Sequence, residues 1–158
     1  MELNKYLEEL CSLDGISGDE GAVREYIISK IEGKCDYTVD PLGSVIAEVK
    51  GKKPAKHRLL ISAHMDEVGL IVTYICSDGC LKFSSVGGVD PRILFGKRVF
   101  VGKDRLPGVI GGTAVHNLSD EERKKAPSEP AMTIDIGCSS KAEAEKLVRQ
   151  GDSVIFDS

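Results

Sequence analysis

"LLISAHMDEVGLIV", running from Leu59 to Val72, is apolar at both ends and broken by His64, Asp66 and Glu67. Charged groups inside an apolar run are costly to bury unless they are paired or bound to a cation. The first half, "RLLISAH", predicts a short strand buried on both faces that ends at His64. In open α/β sheets, ligands bind beyond such strand ends. Alternation along the strand places His64 and Asp66 on one side and Met65 on the other. Imidazole can ligate a metal through one nitrogen while a carboxylate holds the other N–H and sets the tautomer. The plainer alternative is a histidine satisfied by its neighbouring aspartate with no metal, because metal sites normally take three or four ligands.

Upstream, the pattern is helical and then extended. Leu3, Tyr6, Leu7 and Leu10 fall at helical spacing. "GISG" (Gly15 to Gly18) breaks that helix, and Asp19 and Glu20 open a second one carrying Val23, Ile27, Ile28 and Ile31, with Gly33 as its stop. "DYTV" and "SVIAEV" flank "DPLG" and predict a hairpin. Downstream of Glu67, "GLIVTYICSDGCLKFSSVGG" predicts two strands around Ser77-Asp78-Gly79. Further short strands are expected at "KRVFV", "LPGVIGG" and "AMTIDIG", as in a small barrel or sandwich, and one helix at Ser140 to Val148, capped by Ser139 or Ser140. The expected organisation is a partial α/β unit over residues 1–66 followed by a β-rich unit over residues 67–158.

The totals narrow the function classes. A net charge of -4 and a pI near 5.4 argue against binding through nucleic-acid phosphates. No apolar run reaches the roughly 18 residues of a membrane helix. The acidic, amphipathic start "MELNKYLEEL" is unlike a secretory signal. Five cysteines without framework spacing fit a reducing interior, so the expectation is a cytoplasmic protein with no nucleic-acid or membrane partner. Cys76 and Cys80 form a Cys-x-x-x-Cys across the expected turn. Structural zinc there would want a second pair, and two small residues on paired strands is the plainer reading.

Several ordered segments carry a family resemblance. "ISAHMDEVG" resembles the first metal-ligand motif of the tetrahedral aminopeptidases, a dinuclear-metal family that includes glutamyl and deblocking aminopeptidases. "LCSLDGISGDEGAVREYI" resembles that family's opening segment, and "VDPLGSVIAEVKG" its first strand pair. "VGGVDPRILFGKRVFV", "GVIGG...HNLSDEER" and "IDIGCSSKAEAEKLVRQGD" resemble, in order, segments of its inserted β-domain. The resemblance implies the N-terminal part of a zinc-peptidase α/β sandwich followed by an inserted small β-barrel-like domain used for dimerisation or substrate gating.

The resemblance also implies a chemistry: removal of N-terminal residues from peptides by a water activated between two divalent metal ions, zinc or cobalt. His64 would bind one ion, and Asp66 would orient His64. His116 matches a position that is not a metal ligand in the family, and His57 sits in a basic connection and reads as a solvated loop residue. Arg123-Lys124-Lys125 reads as a solvated face.

The family's bridging aspartate, paired glutamates and last histidine follow the inserted domain, and "GDSVIFDS" falls about where its path returns to the catalytic sheet. The chain is therefore expected to be truncated, inactive alone, at most a weak binder of a single metal ion, and a homo-oligomer through its β-domain. The alternative is a non-catalytic β-domain module that binds a peptide or a sister subunit. A carbohydrate-active enzyme has less support, since the chain contains no Trp and 5% aromatic residues.

Overall fold

The computed structural model of the protein describes residues 2–53, 56–113, 119 and 128–157. The chain divides into two compact units, Met1–Glu67 and Val68–Ser158.

The first unit holds helices α1 (Glu2–Cys11) and α2 (Gly21–Ile31) and an antiparallel hairpin of β1 (Asp36–Val39) and β2 (Val45–Glu48). In the hairpin turn, the Asp40 carboxylate accepts from the Leu42 and Ser44 amides at 2.9 and 2.8 Å, which is the turn chemistry that "DPLG" predicts. The helices meet through polar groups rather than the expected leucine stripe. Tyr26 donates its hydroxyl proton to the Glu9 carboxylate, and Lys30 Nζ lies 3.3 Å from Glu9 and 4.6 Å above the Tyr26 ring. Leu3 and Leu7 remain 77% and 63% exposed. Helix α2 begins at Gly21, so Asp19 and Glu20 precede its first turn instead of occupying it.

The expected strand at "RLLISAH" does not form. Residues 58–66 lie outside every strand, and Leu59, Leu60 and Ile61 are more than 80% exposed. A doubly buried strand needs ladder partners on its edges and layers over its faces. Among the described residues no strand pairs with this segment. The charged groups after it are consequently not buried either, and their cost in an apolar interior does not arise.

The second unit is a closed barrel with strand order β3-β4-β7-β6-β5-β8. Its strands are β3 (Gly69–Ile75), β4 (Leu81–Val86), β5 (Arg98–Val101), β6 (Leu106–Gly112), β7 (Met132–Asp135) and β8 (Ser153–Phe156). Alternation sends Leu70, Val72, Leu81, Val99, Val101, Ile110, Ile134 and Val154 inward, each at most 1% exposed. Ser153–Phe156, within "GDSVIFDS", belongs to this barrel. Its strand pairs with β3 (Leu70↔Val154) and with β5 (Val101↔Val154), which is what closes the ring. Closure leaves neither outer strand with an unpaired edge along these stretches.

The helix expected over Ser140 to Val148 shortens to α3 (Lys141–Ala144), with Ser140 accepting from the Glu143 amide as its cap. Ala144 and Val148 are buried against the barrel core, so the segment is held by packing rather than by length.

Candidate functional site

The site is assembled by the "GISG" segment. Gly15 packs so closely on α2 that an added Cβ would lie 2.8 Å from Val23 Cγ2. Its carbonyl accepts from the Glu67 amide at 2.7 Å, and Ile16 and Glu67 form a parallel bridge. Ile16 and Val23, 4% and 7% exposed, anchor the contact. The following turn is closed by Asp19 N–H donating to the Ile16 carbonyl at 2.9 Å and by Gly18 N–H donating to the Glu20 carboxylate at 2.7 Å. That turn carries Ser17 to Asp66, whose carboxylate accepts the Ser17 hydroxyl proton.

His64 and Asp66 come together although the strand whose alternation would pair them does not form. His64 Nδ1 lies 3.1 Å from Asp66 Oδ1 and 2.9 Å from the Asp66 main-chain oxygen. Both of those atoms are acceptors, so Nδ1 carries a proton, and the neutral ring in this arrangement has its lone pair on Nε2. The His64 side chain is 85% exposed, leaving that lone pair accessible. The Asp66 carboxyl is held below the ordinary aspartate range, first by the Ser17 hydroxyl and then by its own amide and by His64. The Glu67 carboxyl is pushed up, chiefly by partial desolvation and also by Asp14.

These side chains open onto a cavity of about 500 Å³ within the first unit, lined by Glu20, Ile27, Ile46, Leu60, His64 and Asp66 among others. Among the described residues, no Phe, Tyr or Trp lines it. His57 is exposed and has no part in the site. His116 and Arg123-Lys124-Lys125 lie outside the described residues. Among the described residues, no three His, Cys, Asp or Glu side chains are grouped to hold a metal ion, around Cys76 and Cys80 included. Ser17 was not identified from the sequence. A serine in a glycine-rich turn has no signature, and its partner is 49 residues away.

A family model described as M42 glutamyl aminopeptidase matches residues 43–158, including His64, Asp66 and the whole barrel. The chain belongs to the M42 glutamyl aminopeptidase family. This M42 chain is 40% identical over 151 residues to a putative aminopeptidase of Acetivibrio thermocellus, covering 95% of this chain and 43% of that protein. Among solved structures, it is 41% identical to the Pyrococcus horikoshii TET1 peptidase, with a TM-score of 0.84 over 97% of this chain and 46% of that one. That peptidase is described as assembling into a tetrahedron or a large octahedral shell. A Thermotoga maritima protein described as an endoglucanase is 47% identical, with a TM-score of 0.80 over 96% of this chain and 44% of that one. The M42 chain thus spans less than half the length of the relatives it matches.

Proposed function

We propose that the chain contributes to a metallo-aminopeptidase of the glutamyl type, which removes N-terminal residues from peptides, and that His64 is one of its metal ligands. The observation that carries this reading is the contact of His64 Nδ1 with the Asp66 carboxylate and main-chain oxygen. With Nδ1 committed to Asp66, the ring presents Nε2 as a neutral donor, the form a divalent ion of borderline softness takes. The donor chemistry therefore fits zinc or cobalt. When bound, a pair of such ions supplies an activated water and polarises a scissile carbonyl. Asp66 acts as the positioning residue, with Ser17 holding the far side of its carboxylate. Among the described residues no three His, Cys, Asp or Glu side chains are grouped to hold an ion, so for this chain by itself the reading is weak binding of a single ion without peptide hydrolysis.

The barrel serves as the inserted domain, contributing to dimerisation or to gating of substrate, in a cytoplasmic homo-oligomer. Support comes from the shell assemblies of the TET1 neighbour. A peptide is favoured over a sugar as substrate because the cavity beside His64 has no aromatic platform and the chain has no Trp.

Cobalt(II) titration followed by visible absorption tests the ligand assignment. One weak site is expected, abolished by His64→Ala, and no release of N-terminal residues from peptide substrates is expected from this chain. Cobalt binding that survives His64→Ala overturns the reading. A second reading, a non-catalytic oligomerisation or peptide-binding module, draws on the barrel being closed while no group of three metal-ligating side chains is in place among the described residues. A metal-free protein that retains its oligomeric state and peptide binding in His64→Ala would favour it.

A further inference from the structure

The tip of the β3–β4 hairpin carries two thiols in register. Gly79 N–H donates to the Cys76 carbonyl at 3.1 Å, and Cys76 N–H donates to the Cys80 carbonyl at 2.8 Å. Gly79 has φ +90°, so Ser77-Asp78-Gly79 is a three-residue loop whose last residue is left-handed, with a bulge at Gly79–Cys80. The next pair inward is Ile75↔Leu81, both buried at 4% and 0% exposure in the barrel core. Cys76 and Cys80 therefore leave the ladder on the opposite face, side by side and half-buried, and both thiols are free.

We propose that Cys76 and Cys80 form a redox-active dithiol, which closes to a disulfide across the hairpin tip by exchange with a small disulfide of the glutathione type. Opposed residues in an antiparallel pair have Cα atoms about 4.5–5.5 Å apart, inside the window of roughly 4.4–6.8 Å that a disulfide spans. Cβ atoms of directly opposed residues lie about 4.5–5.5 Å apart against about 3.5–4.5 Å in a disulfide, so closure across the bulged tip requires a local adjustment of the three-residue loop.

The other cysteines lack this arrangement. Cys11 and Cys35 belong to the first unit. Cys138 underlies the turn, with its Cβ 3.0 Å from where a Gly79 Cβ would sit. Its electrostatic neighbours are Glu143 and Asp135, whereas Cys76 is among the groups acting on Cys80. Metal binding is a poorer use of the pair, since two thiolates are fewer ligands than structural zinc takes.

The order of events follows from the surroundings. The Cys80 thiol is pushed up by burial first and then by Asp78 and Asp135, so it reacts second. The Cys76 thiolate attacks one sulfur of glutathione disulfide; that S–S bond breaks, and a glutathione thiolate leaves with the electron pair and takes up the proton Cys76 released. Cys80 then gives up its proton and attacks the Cys76 sulfur of the mixed disulfide, expelling the second glutathione, which takes up that proton. Two protein thiols are oxidised and one glutathione disulfide is reduced to two thiols. The Ser77 carbonyl accepts from the Lys141 amide at 3.2 Å, so the cross-link tightens the tip at the point where it meets α3.

The test is to incubate the native protein with glutathione disulfide, alkylate the remaining thiols, and map the peptides by mass spectrometry. The alkylatable thiols are expected to fall from five to three, with a Cys76–Cys80 link that also forms when Cys11, Cys35 and Cys138 are all changed to Ser. Cys80→Ser is expected to stop at a mixed disulfide on Cys76. Five alkylated thiols, a link to Cys138, or a wild-type mixed disulfide that never closes would each overturn the proposal.

Discussion

Ser17 and Asp66, 49 residues apart, are joined by a hydrogen bond from the hydroxyl to one carboxylate oxygen, while the other oxygen faces His64 Nδ1 at 3.1 Å. The carboxylate is thus held on both sides, and the imidazole inherits its orientation from a turn in a distant part of the chain. Removing either support is expected to let the His64 ring wander. Asp66→Ala is expected to weaken cobalt(II) binding about 10- to 100-fold, and Ser17→Ala by about 10-fold, with Ser17→Thr retaining most of the affinity. Visible-absorption titrations of the three variants against wild type check the ranking.

Burial separates two leucines that the sequence presents alike. Leu70 is 0% exposed in the barrel core, and Leu60 is 88% exposed beside the cavity. Leu70→Ala is expected to destabilise by about 2–5 kcal/mol, whereas Leu60→Ala is expected to stay within about 0.5 kcal/mol of wild type. Urea unfolding followed by far-UV circular dichroism measures both.

Gly79 is confined by conformation and by space. An alanine there would hold φ +90° against its preference and would place Cβ 2.7 Å from the Cys138 carbonyl oxygen. Gly79→Ala is expected to cost about 2–3 kcal/mol, combining left-handed strain with the displacement of a backbone contact. Hydrogen exchange should show faster exchange of the Cys76 amide in the variant, since that bond closes the hairpin tip.

Asp90 caps the short turn Pro91–Ile93 and pairs with Arg92, whose guanidinium and amide hold the carboxyl down to about 2 from 3.8. The folded value lies below the unfolded one, so the contribution to stability is present above about pH 4 and is lost as pH falls through about 2. Carboxyl titration by NMR is expected to place the Asp90 midpoint near 2, and Arg92→Ala to return it toward 3.8. A wild-type midpoint near 3.8 would show that the pair does not form in solution.

Most of the barrel was legible because its signals are local. Ser77-Asp78-Gly79 specifies a turn through side-chain size and a left-handed glycine, and "LPGVIGG" forms β6 over the residues expected. Ser140 caps α3 because a hydroxyl one position before a helix meets an unpaired amide wherever the chain goes next. No strand was expected at Ser153–Phe156, because a four-residue strand carries too little pattern to announce itself.

The residues alone determined the hairpin turns, the cap and the alternation that lines the barrel, since each depends on groups a few positions apart. Tertiary structure decided that Ser153–Phe156 closes the barrel between β3 and β5, that Leu59 to Ile61 stay in solvent, and that Ser17 reaches Asp66. Those outcomes turn on which distant backbone and side-chain groups become neighbours. Short-range propensity carries no information about that choice; it is made by burial and by the pairing of hydrogen-bonding groups across the folded chain.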